Sequence, residues 1–206
     1  MKPWVRLPGL IAGIAAPVLS IGGQLLGMAT WPSYNPFTQT ISEMAAGDAP
    51  TQVYMNTIFC LIGVATLIVA FYTPAIAIAG RVFIVISGLS FFGVASFPLE
   101  TMSANSSLEH KLSAMVGFVL LAAWPLVGWR RDRNIPWVLR PVPSVIATAV
   151  MAVFCFWFLA VWANPGTGYV GTMERAAAWL EGIWPLIVVV VLARAQTKRF
   201  ARPRNA

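Results

Sequence analysis

Eight polar side chains, five of them carboxyl or imidazole groups, could together carry acid–base chemistry and bind its substrate: Gln24, Glu43, Asn56, Glu100, His110, Glu174, Arg175 and Glu181. Glu43, Glu100, His110, Glu174 and Glu181 are candidate catalytic groups, because carboxyls and imidazole can carry a proton to or from a reacting atom. Gln24, Ser42, Asn56 and Arg175 are candidate substrate-binding groups. Glu174 and Glu181 stand seven residues apart in one helical pattern, which places them two turns apart on one face. Each also has a plainer reading. Glu43 and Glu109 fit as acids of helix capping boxes, and Glu174 as a first-turn acid favoured by the helix dipole. Arg175 fits as an interface anchor and His110 as a wet helix terminus.

Other chemistries find less support. One histidine excludes a three-histidine zinc site, and no metal or cofactor is assigned, although a site of His110 with carboxylates stays open. No nucleophile elbow, phosphate-binding glycine loop or paired-cysteine motif is present. A Ser-His-acid set can be drawn from Ser42, His110 and Glu100.

Glu181 is the least expected of these residues. It falls about nine residues into an apolar run, roughly 13 Å along a helix and near a bilayer centre. An ionised acid there costs about 2.5–3.5 kcal/mol on insertion scales, so Glu181 should be neutral, paired or facing a wet cavity. The spacing predicts that it faces the bundle interior, where Gln24, Asn56 and Ser90 have a suitable depth to receive it. Pro185 cannot donate to the Glu181 carbonyl, which leaves that carbonyl free at the same level.

The elements that must position these groups are membrane spans. The chain has 206 residues, 58% hydrophobic and 10% charged, where a soluble domain carries about 25% charged. Six apolar runs predict spans at about 7–29, 52–71, 78–97, 110–129, 142–163 and 173–193, each near the roughly 20 residues that cross hydrocarbon. The expected fold is all-α, a bundle of six transmembrane helices forming one domain over residues 1–206. Lys2 and Arg6 ahead of the first run resemble a signal peptide, but the run exceeds the usual 7–15 residues, so a retained first helix is expected.

Charge sets the orientation. Twelve of fourteen basic residues fall in the segments on the amino-terminal side of the membrane: Lys2, Arg6, Arg81, Arg130, Arg131, Arg133, Arg140, Arg194, Lys198, Arg199, Arg202 and Arg204. Lys111 and Arg175 alone fall on the other side. This asymmetry predicts a plasma-membrane protein with both termini and the 130–140 loop in the cytoplasm. It also accounts for the net charge of +7 without nucleic acid. Cys60 and Cys155 lie within apolar runs and read as small packing residues.

Residues 31–50, WPSYNPFTQTISEMAAGDAP, form the long polar interval of the first half. They begin with aromatics of interfacial type, Trp31, Tyr34 and Phe37. Thr40 and Glu43 then have capping-box spacing, with Gly47 as a stop. A short helix over the outer mouth of the bundle is predicted, with Glu43 facing inward or upward. Asp48 and Pro50 are expected to cap the second span, Ser106 with Glu109 the fourth, and Thr172 with Glu174 the sixth. Glu43, Glu100, His110 and Arg175 are expected to form one hydrogen-bonded cluster beneath this segment.

Four ordered pieces resemble the domain-of-unknown-function 998 family of prokaryotic membrane proteins. They are Thr40-Ile41-Ser42-Glu43-Met44, Phe97-Pro98-Leu99-Glu100, His110 at the head of the fourth span, and Glu174-Arg175 at the head of the sixth. The resemblance implies six spans with polar groups at helix ends, and no assigned activity. Glu100 stands where the family pattern favours aspartate.

Three functions follow from these expectations. The first is an intramembrane enzyme with an outward-facing acidic and histidine pocket, acting on a lipid or isoprenoid by acid–base chemistry. The second is a proton-coupled or small-molecule transporter, or a ligand-binding membrane protein, built around Glu181. The third is an accessory or structural partner. Expected partners are membrane lipids and a lipid-like or small-molecule ligand at the outer face, with the oligomeric state open. A closed aromatic-lined cavity favours chemistry, and a polar route through the bundle favours transport.

Overall fold

Six helices are long and apolar enough to cross a membrane, so the chain is a multi-pass membrane protein in a lipid environment. The computed structural model describes residues 3–104, 106–132 and 134–201. Lys2, Arg133, Arg202 and Arg204, part of the basic asymmetry, lie outside the described residues. Among those described, every regular element is helical.

The first span runs Leu7–Thr30. It consists of α1 (Leu7–Pro17), one π-helical turn (Val18–Gly22) and α2 (Gly23–Thr30). Pro17 lacks the N–H that continues an α ladder, and the wider turn after it absorbs the interruption. The short helix α3 (Ile41–Met44) follows, then α4 (Gln52–Tyr72), α5 (Ile78–Ser96), α6 (Leu108–Gly128), α7 (Pro141–Trp162) and α8 (Val170–Ala201).

Neighbouring spans pack in the ring order α1, α4, α5, α6 and α8, with α6 touching α8 to close it and α7 lying outside against both. Helix α7 turns Phe156, Trp157 and Val153 outward, as its apolar, aromatic sequence suggests for a lipid-facing helix. The loops at one end carry α3, and this is called the α3 end. The opposite end holds Arg6, Arg81, Arg130, Arg140 and the basic last turn of α8.

Two apolar clusters close the bundle. At the basic end, Val5, Ile76, Trp124, Val138, Leu139, Val188 and Leu192 pack together. At the α3 end, Trp31, Tyr34, Ile41, Met44, Met55, Phe59 and Leu99 form the second cluster. Trp31 and Tyr34 therefore roof the bundle instead of sitting at an interface; Phe37 alone of the three aromatics is exposed.

Several helix ends differ from the expected ones. Thr40 and Glu43 do form a capping box. Helix α4, however, starts after Thr51, and Asp48 is free to accept from the Met102 N–H at 2.8 Å, which staples the roof to the 97–107 loop. Helix α6 is capped by Ser107, which accepts from the His110 N–H at 3.1 Å; Ser106 lies one residue too early and Glu109 is exposed. Helix α8 starts at Val170 and continues to Ala201, past the expected end at 193. Its extension is held because Gln196 accepts from the Trp4 N–H at 2.6 Å and Arg199 stacks over the Trp4 ring. The basic loop is also built in. Arg130 donates to the carbonyls of Pro74, Ala75 and Ile76, satisfying groups left over at the α4–α5 turn.

Candidate functional site

The capping box fixes α3 and with it Ser42. Thr40 Oγ1 accepts from the Glu43 N–H at 3.1 Å while the Glu43 carboxylate accepts from the Thr40 N–H. The Ile41 N–H, another donor that the short helix leaves free, is taken by Glu174 of α8. Ser42 then projects toward α6, where its Oγ lies 3.1 Å from His110 Nε2.

His110 is buried at the first turn of α6, and its other ring nitrogen, Nδ1, lies 2.9 Å from the Phe97 carbonyl oxygen. A carbonyl only accepts, so Nδ1 carries the proton. In the neutral ring Nε2 therefore offers its lone pair to the Ser42 hydroxyl. The Phe97 carbonyl is free for this role because α5 has just ended at Ser96. The buried Glu174 carboxyl lies beside the same hydroxyl, so Ser42 stands between imidazole and carboxyl.

Arg175 follows Glu174 and is equally buried. Its Nη1 donates to the carbonyls of Pro36, Gln39 and Gly171 at 2.9, 2.9 and 2.8 Å, and its Nη2 donates to the Tyr34 hydroxyl. The expected partners Glu43 and Glu100 are not among these. The loop backbone around 36–39 presents unsatisfied carbonyls to a planar five-donor fork, and that geometry suits guanidinium as well as a carboxylate does. Burial pushes the Tyr34 hydroxyl pKa up, more than the neighbouring guanidinium pulls it down, so Tyr34 stays a neutral donor to the carbonyls of Gln39 and Thr40.

Below Ser42 lies a partly open cavity of about 120 Å³ lined by the five helices of the ring. Ser42, Ile41 and Glu174 line its α3 end, and Phe59, Phe91 and Phe118 line its walls. Ser20, Gln24, Ser90 and Ser113 supply scattered polar atoms, and Glu181 lies farther along α8. Toward the basic end the wall continues as Val69 and Ile84 and merges with the apolar cluster around Trp124.

Three of the expected residues come together here: Ser42, His110 and Glu174. Glu181 does face the interior, but its hydrogen-bond partner is Cys155 of α7, with Sγ 3.1 Å from Oε1, in place of Gln24, Asn56 or Ser90. The α7 register brings Cys155 level with Glu181; its thiol, read as packing alone, also donates. Gln24 instead accepts from Trp179 Nε1 at 3.0 Å and donates to Ser20 at 3.2 Å. Asn56 donates weakly to the Ala45 carbonyl at 3.4 Å. Glu43 is spent on the capping box, and Glu100 is exposed, its place on His110 taken by the Phe97 carbonyl. Among the described residues no three His, Cys, Asp or Glu side chains converge as a metal-ligand group.

Sequence comparison bears on the same residues. A family model described as "Protein of unknown function (DUF998)" matches residues 14–191. The chain belongs to the DUF998 family. The DUF998 match spans all six transmembrane helices at least in part, and it includes Ser42, His110, Glu174, Arg175 and Glu181. No curated protein and no solved structure matches the chain.

Proposed function

We propose that this DUF998 protein is an intramembrane enzyme of the plasma membrane, acting by acid–base chemistry on a lipid or isoprenoid. The basic asymmetry puts both termini in the cytoplasm, so α3 and its site face the outer leaflet. One observation carries the reading: a buried histidine with its Nδ1 proton fixed on a carbonyl and its Nε2 lone pair aimed at a hydroxyl of the cavity wall. That is the arrangement of a general base held in one tautomer. Glu174 beside Ser42 supplies a second proton-carrying group.

The cavity's character supports a lipid. Aromatic and aliphatic side chains make most of its wall, with Ser42 and Glu174 at its α3 end and scattered polar atoms farther in, which suits a short apolar group below the reacting bond. A transporter would use a polar route to the basic end, whereas this end is filled by Trp124, Ile76, Val188 and Leu192.

The test is lipid turnover. Wild-type protein and His110→Gln are reconstituted in nanodiscs with a total lipid extract of the expression host, and the lipids are profiled by mass spectrometry. Wild type should deplete one lipid class and generate its product, and His110→Gln should slow this by about 10²-fold or more. Equal turnover by both proteins, or no turnover by folded wild type, refutes the reading.

A further inference from the structure

The geometry points to Ser42 as a covalent nucleophile for carboxylic esters, with His110 as its base and a short acyl group received by the cavity below it. This rests on the enzyme reading above and adds the bond attacked and the atom that attacks it.

Position distinguishes Ser42 from His110. Ser42 lines the cavity, while His110 stands behind it with its ring nitrogens committed to the Phe97 carbonyl and to Ser42 Oγ at 2.9 and 3.1 Å. The imidazole reaches a ligand only through the hydroxyl, so the group presented to a bound lipid is the serine oxygen. A hydroxyl hydrogen-bonded to an oriented imidazole is the general form of an activated nucleophile.

Ser42 is also held in place. Both flanking backbone positions are anchored, Ile41 by Glu174 and Glu43 by Thr40, and Ile41 and Met44 are buried on either side of it. A nucleophile on so short a helix would otherwise be poorly positioned, and misplacement by about 1 Å can cost roughly 10²-fold in rate.

Water is the co-reactant. Ser42 Oγ attacks the ester carbonyl carbon as its proton passes to His110 Nε2. The carbon–oxygen bond to the lipid alcohol breaks, and the alkoxide leaves with the proton from Nε2. Water then attacks the acyl-Ser42 carbonyl and gives a proton to Nε2. The bond to Ser42 Oγ breaks, Oγ takes that proton back, and the carboxylic acid departs. Glu174, beside Ser42 on the cavity wall, holds the Ile41 N–H and through it positions the serine.

Volume sets the acyl class. The cavity of about 120 Å³ is somewhat smaller than an engineered apolar cavity of about 150 Å³ that holds benzene. A short acyl group fits that space, and the lipid alcohol remains at the α3 end.

The test is an activity-based label. Wild-type protein in nanodiscs is treated with an ethyl or a dodecyl fluorophosphonate, followed by intact mass and peptide mapping. Expected is one adduct, on Ser42, formed faster with the ethyl probe, absent in Ser42→Ala and slowed about 10²-fold or more in His110→Gln. Labelling of another residue, no labelling of folded wild type, or an undiminished rate in His110→Gln overturns the assignment. A faster dodecyl probe overturns the short-acyl class. Lipid turnover that needs His110 but survives in Ser42→Ala sinks the nucleophile and leaves the enzyme reading standing. Ser42 labelling without any lipid turnover does the reverse.

Discussion

Replacing Arg175 by methionine removes a guanidinium that is 5% exposed and joins α8 to the loop ahead of α3. Three carbonyls, those of Pro36, Gln39 and Gly171, lose a charged donor at 2.8–2.9 Å. Nη1 shares two N–H groups among these carbonyls and Nη2 gives a third to the Tyr34 hydroxyl; at about 1.5–3 kcal/mol each, the gross loss is about 5–9 kcal/mol. Against it stands the recovered cost of burying a cation whose hydrogen-bond partners are all neutral, several kcal/mol. A net loss of about 2–4 kcal/mol is expected, confined to the roof. Other ties remain there, from the Gly171 N–H to Phe37 O at 3.0 Å and from the Gly47 N–H to Leu99 O at 2.8 Å. At 1.36 kcal/mol per tenfold, local opening of the 34–46 amides should rise roughly 30- to 1,000-fold. Hydrogen exchange in nanodiscs reads this directly. Arg175→Lys, which keeps the charge without the planar fork, should fall between methionine and wild type. Unchanged exchange over 34–46, or an equal rise in the middle of α4 and α8, would show that Arg175 does not hold the roof.

Glu43→Gln keeps both halves of the capping box, so thermal stability should stay within about 0.5 kcal/mol of wild type and lipid turnover should be retained, while Thr40→Ala should cost about 1 kcal/mol. Glu181→Gln should preserve fold and turnover, because Glu181 lies two turns along α8 from Glu174, about 10 Å from the proposed chemistry; abolished turnover in a folded protein would move the reaction to Glu181. Gly171→Ala should destabilise by about 1–3 kcal/mol in thermal unfolding, since a Cβ there collides with the Gln39 carbonyl oxygen. In sealed cells carrying a cysteine-free background, external thiol reagents should label Ser103→Cys and Gly168→Cys but not Asn134→Cys, and labelling at 134 would reverse the proposed orientation.

What the sequence determined by itself is whatever depends on length and near neighbours. A run of about 20 apolar residues has one low-energy fate in lipid, because every backbone polar group must be bonded within the segment. Six such runs therefore dictate an all-helical, six-span chain. The Thr40–Glu43 capping box was legible for the same reason, both partners lying within one turn. The convergence of Ser42, His110 and Glu174 at one end was legible only as helix ends on a common side. Whether they touch depends on the rotation of each helix about its axis. Spans that are apolar on every face carry little signal for that rotation. Tertiary structure alone brought Ser42 to a histidine 68 residues away, set Cys155 against Glu181, and left Glu100 exposed. It also supplied partners that no side-chain pattern can name. The Phe97 carbonyl on His110 and the Pro36 and Gln39 carbonyls on Arg175 are groups that nearly every residue possesses. Which of them is free to accept is settled only where a helix stops and a loop docks.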